Sequence, residues 1–126
     1  LASFNVFVFG DPASHELTRQ VVDHSPMRIT EKHFVVGNWK FPRKGNGIYF
    51  VYRSPWNSRR LAVVQCGEIW GLGLPENHKF DLIPDYIVYS GDKKDEDGSN
   101  TALCAGFFDE NWHIVPELMY IAGEDQ

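Results

Sequence analysis

The stretch Asn5-Val6-Phe7-Val8-Phe9-Gly10-Asp11-Pro12-Ala13-Ser14 decides the fold reading. Its first half is nearly continuous apolar sequence, as in a strand covered on both faces. Gly10 permits a sharp exit, and a positive φ there would make the glycine obligatory. Asp11 is suited to cap a helix. Pro12 is suited to the first helical position, where its missing N–H is not needed. Ala13, Leu17 and Val21 then recur four apart and, with Val22, form one apolar face. Ser25-Pro26 ends the helix. A strand, a tight turn and a capped helix in that order predict an α/β domain.

Outward from this unit the pattern turns to strands. Residues 27–30 and 33–36 read as short strands, with turn chemistry at Gly37-Asn38 and over 42–47. Residues 48–52, 61–65, 86–89 and 102–108 read as strands, and 54–58 as a loop. Residues 68–74 read as a second short helix, which Gly71 and Gly73 weaken. Residues 75–81 read as a loop, and the charged run 92–100 as a hairpin tip. The expected architecture is a mixed β-sheet with one clear helix after the first strand and a second short one. The first strand is expected to pair in parallel with a later strand across the helix. The strands containing Tyr86 and Leu103 are expected to pair antiparallel. Residues 1–112 form the expected domain, and 113–126 a C-terminal tail with no structure assigned.

A chain of 126 residues suits one domain and can bury about two-thirds of its unfolded surface. Its 43% hydrophobic and 14% aromatic content is that of a globular chain. The net charge of −5 leaves no basic field to neutralise phosphates, so no nucleic-acid partner is expected. No apolar run reaches the ~18–20 residues of a membrane-spanning helix. Leu1 opens the chain without a Met and without a basic stretch leading into an apolar one. The expectation is one domain of a longer polypeptide.

No reactive constellation emerges. There is no Gly-x-Ser-x-Gly, and Ser14 and His15, although near Asp11, point in different directions as helix neighbours. The Gly10 turn has one glycine and no Lys, so it is neither a P-loop nor a dinucleotide fingerprint. Free N–H groups at that helix start leave a small anion open. His15, His24, His33, His78 and His113 are scattered without metal-ligand spacing. With Gly98 as the sixth residue of a calcium loop, Lys93 and Cys104 would fall on ligand positions, and both fail. No cofactor or metal is expected. Cys66 and Cys104 lie in apolar runs and lack a Cys-x-x-Cys pattern. Two buried thiols, one disulfide or a reactive thiol remain open. Trp39, Trp56, Trp70 and Trp112 all fall in or near turns. They could cap the core, dock against a neighbouring domain or stack on a glycan. Arg53, Arg59 and Arg60 near Trp56 could rim such a contact patch.

Four pieces of the chain carry a resemblance: Asn5 to Ser14; Ser54-Pro55-Trp56-Asn57 with Arg60 before a strand ending at Gly67; Ile83-Pro84-Asp85-Tyr86; and Ala105 to Trp112. In this order and spacing the chain resembles the C-terminal accessory domain that follows the α/β-hydrolase domain in bacterial secreted esterase and prolyl-oligopeptidase-like proteins. His15 stands where that family commonly has Asn, and Ser58 where a second Pro is usual. Residues 113–126 run past its usual end. The resemblance implies a non-catalytic domain that packs against or orients a neighbouring catalytic domain. The Ser, Asp and His of the hydrolase would belong to that neighbour, and the location would be secreted or cell-envelope. The alternative is a glycan- or cell-surface-binding module that uses exposed Trp.

Overall fold

The computed structural model describes residues 3–71, 84–96 and 98–123. The expected α/β class with two helices is not what the chain adopts. Strands take 56% of the described residues and helix 8%, which makes it a β-rich domain with one helix and two sheets among them. Residues 68–71 form a bend and a turn in place of the second helix, and 72–74 lie outside the described residues. The physical reason is that the main chain there is held by side chains from the sheet. Gln65 Nε2 donates to Glu68 O (2.9 Å) and Tyr89 Oη donates to the same oxygen (2.6 Å). Trp70 N donates to Gln65 Oε1, and Gly71 N to Asn100 Oδ1 (2.8 Å). Those donors and acceptors are committed sideways, so no helical ladder forms. The loop expected at 75–81 lies outside the described residues.

The large sheet has six strands in the order β1-β6-β5-β7-β8-β9: β1 (Val6–Phe9), β6 (Asn57–Gly67), β5 (Asn46–Ser54), β7 (Tyr86–Lys94), β8 (Asn100–Phe108) and β9 (Ile114–Ile121). β1 pairs with β6 in parallel, and every other pair is antiparallel. The parallel pairing across the helix and the antiparallel β7–β8 pair are as expected. Residues within 113–126 supply β9, which adds a strand beyond β8. Pro116 and Glu117 break up its apolar pattern, and a proline is tolerated there because β9 is an edge strand. A small antiparallel sheet holds β2 (Arg28–Ile29), β3 (His33–Val36) and β4 (Trp39–Pro42). The turn expected at Gly37-Asn38 is a two-residue hairpin joining β3 to β4, with Gly37 at φ +59°.

The helix α1 (Glu16–His24) starts later than the sequence reading placed it. His15 is the N-cap, and its Nδ1 accepts from Thr18 N (3.2 Å). Asp11 is therefore not the cap, and Pro12 is not the first helical residue. Asp11 instead closes its own turn, its Oδ1 accepting from Ala13 N (2.9 Å). Ser25 ends the helix as expected.

All of this cover lies on one face of the large sheet. Val21 and Val22 of α1, together with Met27, Phe34, Val36 and Phe41, pack on Val8, Ile48, Phe50, Tyr52, Ala62, Val64, Tyr86, Val88 and Cys104 in one core. β1 is consequently not covered on both faces. Val8 points into the core, while Phe7 and Phe9 remain 42% and 59% exposed.

Gly10 leaves β1 at φ +133°, and its N–H extends the parallel ladder by donating to Gln65 O (3.0 Å). An alanine would have to adopt a backbone that L side chains rarely take, with its Cβ 3.4 Å from the His15 Cβ. Gly10→Ala is expected to cost about 1 kcal/mol or more. An unchanged melting temperature would show the turn to be ordinary.

Candidate functional site

Two regions can be built from the residues upward: the turn after β1, and the face of the large sheet opposite the helix. At the turn, Arg43 follows β4 and reaches four elements. Its Nη2 donates to Asp11 Oδ2 (2.6 Å) and its Nη1 to Thr30 O (2.7 Å). Its guanidinium lies 5.6 Å from the Phe34 ring centroid, with Cys66 Sγ 3.8 Å from Nη2. The Ala13 N–H and the Arg43 guanidinium hold the Asp11 carboxyl below its ordinary value of 3.8. Beside this pair is an open cleft of about 980 Å³ lined by Ile29, Thr30, Lys32, Lys44 and Gly67 among others. Asp11 already neutralises Arg43 there, so the turn reads as a tie between the two sheets.

Catalytic groups do not gather at this turn. His15 Nδ1 faces Thr18, 2.8 Å from its hydroxyl, and not Ser14. Among the described residues no group of three or more His, Cys, Asp or Glu could hold a metal. His113 is a surface residue 3.9 Å from Asp109, His24 stands edge-on to Tyr52, and His78 lies outside the described residues. Cys66 and Cys104 are free and buried. Burial raises both thiols, Cys104 to about 12, which opposes the thiolate needed for reactivity.

The named aromatic and basic residues occupy separate places. Trp39 is an exposed residue of β4. Trp56 sits in the β5–β6 turn, half-buried, and its indole N–H donates to Gln20 Oε1 (2.9 Å). Trp70 is buried against Tyr89 on the other face of the large sheet. Trp112 lies in the β8–β9 turn against Tyr52 and Phe108. Arg59 and Arg60 are exposed on β6. These residues do not share one surface.

What the structure does assemble is a face that sequence reasoning missed. Strand register aligns Phe9, Gln65, Tyr49, Ile87, Ala105 and Tyr120 in a row across all six strands. Phe7, Val63 and Val51 form a second row. Phe107, Leu118 and Tyr120 are 53%, 42% and 49% exposed, and with Pro84, Ala105 and Met119 they line a shallow groove over β8 and β9. Adjacent exposed side chains of this size mark contact surfaces more often than bare protein exterior. The available signal was arithmetic: one helix of this length cannot cover both faces of the sheet that so many strand patterns imply.

No family model, no curated protein and no solved structure matches the chain.

Two expectations follow from this geometry. Asp11→Asn should be less stable than wild type at neutral pH, because the lowered carboxyl contributes above its unfolded value. That contribution fades as the pH falls through the folded value, so the gap in urea unfolding should close below about pH 4. A gap unchanged at pH 3 would remove the ion pair from the account. Both thiols should resist a disulfide reagent in the native chain and react after unfolding. Prompt labelling of folded protein would contradict their burial.

Proposed function

We propose that this chain is a non-catalytic accessory domain of a secreted hydrolase, of the esterase or prolyl-oligopeptidase-like kind. It packs against the catalytic domain through the open face of its six-stranded sheet. The observation that carries the reading is the contrast between the two faces. One is packed under α1 and the small sheet; the other presents Phe9, Phe107, Leu118 and Tyr120 to water. The four-piece resemblance supplies the kind of partner. Exposed apolar side chains of this size are what a contact between domains covers. Burial would recover roughly 25 cal/mol for each Å² of apolar surface, less the cost of ordering.

Two measurements test this. The isolated 126 residues should turn over neither nitrophenyl esters nor prolyl peptides. Turnover that disappears in Ser14→Ala would overturn the reading. Hydroxyl-radical footprinting should show Phe107, Leu118 and Tyr120 oxidised in the isolated chain and protected when it is joined to the hydrolase domain. Equal oxidation in both would remove the docking face.

A further inference from the structure

We infer that Arg53, framed by the rings of Tyr52 and Trp112, is a receptor for a side-chain carboxylate on the partner's surface; the inference rests on the docking reading above. Arg53 lies near the end of β5, where the register with β6 shifts. Its guanidinium carbon stands 5.8 Å from the Tyr52 ring centroid and 5.6 Å from that of Trp112. Its Nε is buried with no hydrogen-bond partner. Among the described residues the Arg53 side chain enters no ion pair and no hydrogen bond. Arg43 is the contrast, since it meets a carboxylate and a carbonyl. A guanidinium carries five donors, and leaving them unmet in a half-buried place is costly. Seventeen Asp and Glu are present in this chain, yet among the described residues no carboxylate pairs with Arg53.

Trp112 supplies an independent observation. It is the one non-glycine residue at positive φ (65°) among the described residues. Glycine or asparagine would hold that position in the β8–β9 turn with less strain. The turn nevertheless fixes a tryptophan there. Trp112 N donates to Asp109 O (3.0 Å), and Asp109 Oδ1 accepts from Asn111 N and His113 N. Tyr52 Oη donates to Trp112 O (3.2 Å). The strain sets the indole on Arg53, 5.3 Å from Tyr52 by ring centroids. Strained backbone of this sort concentrates at sites that hold something.

The ligand chemistry follows from these two features. Ring faces stabilise a cation without neutralising it, and they fix its plane. A planar guanidinium of fixed orientation matches a carboxylate through two parallel hydrogen bonds. Arg59 and Arg60, exposed on the same hairpin and without an ion pair among the described residues, add positive charge that favours an acidic residue over a neutral one. Arg, Trp and Tyr are also the residue types that dominate interface hot spots. Trp112 packs with Tyr52 and Phe108 on the core side of the sheet, while strand register puts Arg53 in line with Tyr49 and Val51 of the open face. The carboxylate is therefore expected at the end of the sheet where the two faces meet.

The test is a titration of the isotope-labelled chain with N-acetyl-aspartate N-methylamide, followed by NMR at the Arg53 Nε–H and Trp112 indole N–H. The expected result is a saturable shift of both signals in the millimolar range. The neutral asparagine analogue should produce none. Arg53→Gln should abolish the response with the Tyr52–Trp112 ring contact intact, and Arg53→Lys should weaken it several-fold. A flat titration, an equal response to the asparagine analogue, or an unchanged response in Arg53→Gln would overturn the receptor. If Arg53→Gln does not fold, Arg53→Lys decides together with the wild-type comparison of the two analogues. A flat titration with footprinting protection retained removes the receptor and keeps the docking face. A saturable shift without protection does the reverse.

Discussion

A nine-residue helix and a three-stranded sheet cannot cover both faces of a six-stranded sheet, and the molecule is organised by that shortage. All the available cover goes to one side, where Phe50, Ile48, Val64, Val88 and Tyr86 are fully excluded from water. The hydrophobic term is therefore concentrated in the two-layer core on that side, with a smaller cluster of Trp70, Ile87 and Tyr89 on the other. The opposite side keeps its period-two side chains, several of them large and apolar, without an equivalent layer of secondary structure among the described residues.

Two devices keep the arrangement in register. Arg43 links the β1 exit, the β2 exit and the β3 ring, so the small sheet is tied to the large one by a charge-assisted bond. On the opposite face, glycines let the chain after β6 lie close to the sheet. A Cβ on Gly47 would strike Glu68 O and the Tyr89 ring, and one on Gly91 would strike the Glu68 side chain. Gln65, Tyr89 and Asn100 then satisfy main-chain groups of residues 68–71 from below. Asn100 also donates to Ser90 O, 2.8 Å away. A buried polar network satisfied in this way specifies one path for the strap. It also accounts for why that stretch is not a helix.

The opening strand, the Gly10 exit, the helix end at Ser25 and the β5, β6, β7 and β8 strands were all legible, because apolar alternation and turn residues are local signals. The fold class was not. Strand–turn–helix at the start reads as α/β, and only the count of later strands against one helix shows otherwise. The helix start was misplaced because Asp11 and Pro12 suit a cap as well as they suit a turn. Arg43, thirty-two residues from Asp11, decided between them, and that pairing is invisible in the sequence. The β9 strand was hidden by Pro116-Glu117, and Asn100 looked like hairpin polarity when it is a buried anchor. Phe107 read only as part of a strand and Leu118 and Tyr120 fell in the unassigned tail, and nothing local separates a covered sheet face from an open one. Arg53 was noticed only as a basic neighbour of Trp56; its lack of an acceptor is a property of the folded chain.

The inequality of the two faces is tested most directly by matched truncations in urea unfolding. Phe50→Ala on the packed face should cost about 3–5 kcal/mol. Phe107→Ala on the open face should stay within about 0.5 kcal/mol of wild type. Comparable losses at both positions would mean that the second face is buried within the chain itself, and the account of it as a contact surface would fail.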